Sequence, residues 1–144
     1  MQATILRSSL IGLAFGTLVF GTAPALAEMV NLKGDLKASS EVPPNDSKGT
    51  GSFTASYDTA SKKLSWKGTY SGLSGNATAA HFHGPAEPGK NAGVVVPFKE
   101  TGPSFSGTAD LTDAQAADLL AGKWYVNVHT QANPGGEIRG QVMK

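Results

Sequence analysis

Apolar and polar residues alternate in short runs along this chain, and Gly, Pro, Asn or Ser cuts each run off within a few positions. Such a pattern leaves little room for anything but a β-rich fold. V-N-L-K-G-D-L (30–36) alternates throughout. S-F-T-A-S-Y-D (52–58) puts Phe53, Ala55 and Tyr57 on one face, and K-L-S-W-K-G-T-Y (63–70) does the same for Leu64, Trp66 and Tyr70. N-A-T-A-A-H-F-H (76–83), G-V-V-V-P-F (93–98) and S-F-S-G-T-A (104–109) are further strand candidates. K-W-Y-V-N-V-H-T and G-E-I-R-G-Q-V-M close the series, joined by Q-A-N-P-G. Only residues 111–122 look helical, with Thr112 as N-cap, Asp113 and Gln115 in the first turn and Gly122 as the stop. About seven or eight strands with one short helix predict an all-β domain, an antiparallel Greek-key β-sandwich or barrel.

The first 27 residues are expected to stand apart from that domain. Arg7 precedes an apolar core that is too short to span a membrane, and Ala25-Leu26-Ala27 forms an A-x-A cleavage pattern. The expectation is a signal peptide over 1–27, a single domain over 28–144, and a periplasmic or secreted destination. The chain has no cysteine, so neither a lipoprotein anchor nor a disulfide is expected and stability must come from packing. Twelve basic residues face eleven acidic ones. Arg7 lies in the leader, so the domain itself is charge-balanced. It has no basic field for nucleic acid and no polybasic membrane anchor.

All three histidines fall in two of the strand candidates. Residues two apart in a strand share a face, so His81 and His83 can aim at one point. His129, from another strand, would complete a three-imidazole set suited to copper, with zinc as the alternative. Alternation puts Trp124, Val126 and Val128 on one side of the later strand, and Tyr125, Asn127 and His129 on the other. With Phe82 in the core, His81 and His83 point outward, onto a polar face expected to be open to solvent. The plainer reading makes the histidines hydrogen-bonding partners of nearby loops, without chemistry.

Arg139 and Glu137 share that polar face. Arg139 could act catalytically, guiding a small anion such as superoxide to the metal, and Glu137 could hold an imidazole N–H. A cross-strand ion pair, or bonds to loop carbonyls, is the ordinary expectation for both residues. Tyr125 and Asn127 are candidates for hydrogen bonds around the metal. Glu41, in E-V-P-P, could reach the histidines, but a solvent-exposed carboxylate at a loop edge is the ordinary expectation. The glycines around 84–93 would let a loop lie close over the site.

Taken in order, S-S-E-V-P-P, G-L-S-G-N-A-T-A-A-H-F-H-G-P, L-L-A-G-K-W-Y-V-N-V-H-T and P-G-G-E-I-R-G-Q-V resemble the CHRD domain family. That family is named for the repeated domain of chordin and includes single exported domains in bacteria. The resemblance implies an extracytoplasmic β-sandwich. It also implies an alternative function, a non-enzymatic module that binds an extracellular protein partner. A more local resemblance ties Ala80-His81-Phe82-His83-Gly84 to copper-zinc superoxide dismutases, which carry an H-x-H pair on a Greek-key barrel. This chain lacks that family's cysteines and zinc-loop histidines. The resemblance therefore implies at most one metal, with superoxide dismutase-like redox activity as the enzymatic reading.

Overall fold

A computed structural model describes residues 26–144; the leader expected over 1–27 lies almost wholly outside that range. Eight strands form: β1 (Met29–Lys37), β2 (Thr50–Asp58), β3 (Lys63–Ser71), β4 (Ala77–His83), β5 (Val94–Pro97), β6 (Ser104–Asp110), β7 (Tyr125–Thr130) and β8 (Ile138–Gln141). They make one antiparallel sheet in the order β5-β4-β7-β8-β1-β2-β3-β6, curled into a nearly closed barrel. The one α-helix among the described residues, α1 (Asp113–Leu120), bridges β6 and β7. Thr112 caps it as the sequence predicts, in a reciprocal capping box with Gln115. Gly122 follows its end at φ +73, a left-handed conformation that costs glycine little.

Period-two alternation becomes a single apolar core. Phe53, Ala55 and Tyr57 are buried from β2, Leu64 and Trp66 from β3, and Trp124, Val126, Val128, Ile138 and Val142 from the C-terminal strands. Phe82 lies at the centre, edge-on to Trp66 at 5.2 Å and to Phe98 at 5.1 Å. Phe98 in turn stacks on Trp66 at 5.0 Å and on Phe105 at 5.5 Å. Residues just beyond β5 thereby meet β3 and β6, so aromatic packing closes the gap between the two edge strands. Gly68 leaves the room this requires, since a Cβ there would lie 2.3 Å from the Phe105 ring.

Because Phe82 fills the barrel, its neighbours His81 and His83 turn to the opposite face. β4 and β7 are in register with His81 opposite Asn127, His83 opposite Tyr125 and Ala79 opposite His129. β8 extends the row by setting Arg139 opposite Asn127. One face of β4-β7-β8 thus collects His81, His83, Tyr125, Asn127, His129 and Arg139.

Candidate metal centre

The three imidazoles converge, with one ring nitrogen from each of His81, His83 and His129 lying within 4.8 Å of the others. His81 Nδ1 and His129 Nε2 are 3.1 Å apart. Two nitrogens bound at about 2.0–2.1 Å to one tetrahedral ion would be separated by roughly 3.3 Å. The observed spacing is therefore close to that of ligands sharing a metal.

Backbone carbonyls fix which nitrogen each ring presents. A carbonyl only accepts, so His83 donates Nδ1–H to the Ala92 oxygen (3.0 Å) and His129 donates Nδ1–H to the Pro134 oxygen (2.9 Å). Both rings then carry a lone pair on Nε2. His83 Nε2 is buried without any hydrogen-bond partner, an expensive arrangement that a bound cation would relieve. Burial pushes both His81 and His83 below the usual histidine range, for His83 against the raising effect of its bond to the Ala92 carbonyl and with help from the Arg139 charge. Both rings are accordingly neutral at pH 7, the form that ligates metals.

His83 is also held from the side. Its ring stacks on Tyr125 at 4.9 Å with planes 2° apart, and the Arg139 guanidinium carbon covers the Tyr125 ring at 3.5 Å. Arg139 donates to the Lys90 carbonyl (2.5 Å) and to Asn91 Oδ1 (2.9 Å), and the Tyr125 hydroxyl meets both the amide and the carbonyl of Ala92. The β4–β5 loop is thereby strapped over the histidines.

A family model described as the CHRD domain matches residues 32–142. The chain belongs to the CHRD domain family. No match was found among curated proteins or among solved structures. CHRD domains occur in extracellular or secreted proteins, and no helix among the described residues is long and apolar enough to cross a membrane. The matched span contains all the histidines and the residues packed around them.

In this CHRD domain the polar face is not open, contrary to expectation. His83, Tyr125, Asn127, Glu137 and Arg139 are all buried, and only His81 and His129 retain partial exposure. Loop 84–93 and the turn 131–136 cover the sheet because His83, His129 and Arg139 donate to their backbone carbonyls. Loop 38–49 joins them through Asn45, whose side chain donates to the Glu137 carbonyl. Glu41 is the second correction. It is only 6% exposed and accepts from Asn127 Nδ2 at 2.5 Å, directly beside the residue opposite His81. Gly136 makes this contact feasible at φ +131, since a Cβ there would fall 2.2 Å from Asn127 Nδ2 and 2.6 Å from Glu41 Oε1. Burial raises the Glu41 carboxyl to about 7, although the Arg139 charge pulls it down.

Glu137 immediately precedes β8, and its carboxylate turns to hydroxyls rather than to an imidazole. It accepts from Ser47 Oγ (2.6 Å), from Ser74 Oγ (2.6 Å) and N (2.7 Å), and from Thr130 Oγ1. Burial would raise this acid, but these bonds outweigh it and hold the group near 2. No ion pair forms between Glu137 and Arg139 among the described residues. Sequence reasoning did not single out Ser47, Ser74 or Asn91 as hydrogen-bonding partners of Glu137 and Arg139.

Proposed function

We propose that this CHRD domain binds one transition-metal ion, copper in preference to zinc, through His81 Nδ1, His83 Nε2 and His129 Nε2. The observation that carries the reading is the buried, unpartnered Nε2 of His83 facing a cluster whose other nitrogens are already at ligand spacing. Imidazole donors suit copper and zinc alike, the Irving–Williams order favours copper, and no thiol competes for it. The carbonyls of Ala92 and Pro134 orient two of the rings, as ring N–H partners do in protein metal sites. Three protein ligands leave a coordination position for a small exogenous ligand. Export through the leader to the periplasm or the exterior would give the domain access to extracellular copper.

Arg139 serves this site by holding the Tyr125–His83 stack and by lending positive charge. That charge would favour a small anion, superoxide included, and superoxide dismutase-like turnover is the activity to assay. Asn127 and Glu41 complete the wall on the side of His81, while Glu137 fixes the β7–β8 turn whose Pro134 carbonyl orients His129.

Calorimetric titration of the metal-free protein with Cu(II) tests the proposal. One equivalent should bind to the parent, and His83→Ala or His129→Ala should weaken binding by about 100-fold or more. Equal affinity in the parent and in His83→Ala would refute the site. Superoxide consumption by the loaded parent, absent from the loaded variants, would separate turnover from simple binding.

A further inference from the structure

The opposite end of the sheet carries a second feature, unconnected with the histidines. On the outer face of β1, β2, β3 and β6, register aligns Asn31, Ser56, Ser65 and Thr108 in one row across four strands. The adjacent row is Lys33, Thr54, Lys67 and Ser106. These rows floor a trough of about 1030 Å³, walled by Pro97, Lys99 and Glu100 on one side and by Lys144. Four strands at about 4.8 Å spacing make the floor roughly 14 Å wide. That volume is at the upper end for a small-ligand pocket, and the width would take a short run of sugar rings.

The chemistry of the lining narrows the occupant. Four lysines converge on the trough, and none belongs to an ion pair among the described residues, where the pairs are Lys62–Asp113, Lys63–Asp110 and Lys123–Glu87. The one lining acid, Glu100, is turned onto the edge of β6, accepting from Ser106 N and Oγ. In a domain with balanced charge, this is a local excess of positive charge. The floor offers hydroxyls and an amide, and none of the large exposed apolar residues (Leu26, Met29, Val94, Met143) lines it. Leu32, Ala55, Trp66 and Pro97 also line the trough, so it has apolar surface. What sets it apart is the four lysines without an ion-pair partner beside a row of hydroxyls, which match a ligand carrying both negative charge and hydroxyls.

We infer that this trough binds an acidic polysaccharide, its carboxylate or sulfate groups on Lys33, Lys67, Lys99 and Lys144 and its hydroxyls on the Ser/Thr floor. Trp66 lies behind the floor, in the core, so sugar rings have no exposed aromatic to stack on. Binding therefore rests on charge and hydrogen bonds and weakens with salt.

Titration of the full domain with polygalacturonate, neutral dextran and single-stranded DNA, each at low and at high salt, tests the inference. Polygalacturonate should bind at low salt, more tightly than DNA, and dextran should not bind. Lys33→Gln/Lys67→Gln should lose about ten-fold in affinity, as expected for two charge-assisted contacts at a surface. Lys37→Gln/Lys48→Gln removes the same charge outside the trough and should bind like the parent. Equal losses in the two double variants, DNA binding as tight as polygalacturonate binding, or no polygalacturonate binding would each overturn it. Lys33→Arg/Lys67→Arg should retain binding, which distinguishes a lost contact from a damaged fold. Copper binding should be the same in all these variants.

Discussion

Glu41 and Glu137 are both buried carboxyls beside the turn that joins β7 to β8, yet their surroundings drive them to opposite protonation states. Glu137 receives hydrogen bonds from three hydroxyls and an amide, which keep it charged near a pKa of 2 despite burial. Glu41 has Asn127 Nδ2 and the field of Arg139, too little to offset its desolvation, and rises to about 7. Between its ordinary value and 7, folded Glu41 keeps a proton that the unfolded chain has released. Its effect on stability is therefore unfavourable and grows as pH rises through that window. Glu137 acts in the reverse sense, its stabilisation being present above the ordinary carboxylate range and lost as pH falls toward 2. Glu41→Gln keeps an acceptor for Asn127 and removes the ionisation. The variant should be more stable than the parent at pH 8, by up to about 3 kcal/mol, with the gain vanishing near pH 4. Urea denaturation across that range checks it, and a pH-independent difference would mean that Glu41 does not ionise where its burial implies.

At the scale of elements, the β4–β5 loop is fastened by contacts that reach across the sheet. Arg139 donates to two of its residues while lying flat on Tyr125, and Tyr125 grips Ala92. A lysine cannot fork and stack at once. Arg139→Lys should therefore loosen residues 90–92 and raise hydrogen exchange at the Ala92 amide by about ten-fold, for about 1.4 kcal/mol lost locally. Unchanged exchange there would show that the loop is held by other means. The same loop marks the limit of what alternation reveals. Strand facing is a local property, so His81, His83, Tyr125, Asn127, His129 and Arg139 could be put on one face from the sequence. Which loops fold over that face depends on bonds spanning most of the chain, such as Asn127 to Glu41 at a separation of 86 and Ser47 to Glu137 at 90. No period encodes those. E-V-P-P read as an exposed edge because proline restricts a backbone without saying what it packs against.

For the whole molecule, the histidine cluster and the core are two sides of one sheet, and the absence of disulfides leaves packing to hold it. His81 and His83 flank Phe82, whose ring meets Phe53, Trp66, Phe98 and Trp124. An ion held jointly by β4 and β7 would therefore clamp the pair of strands that carries the centre of the barrel. Such a ligand binds the folded state alone and stabilises by mass action, about 2.7 kcal/mol at a free concentration 100 times its dissociation constant. In a domain of this size that raises Tm by roughly 10 °C. Thermal denaturation with Cu(II) and then with excess chelator should show the rise and its reversal. His81→Ala/His83→Ala should melt at one temperature under both conditions. A copper-induced rise that persists in this double variant would place the ion elsewhere on the molecule, and no rise in the parent would mean that β4 and β7 share no metal.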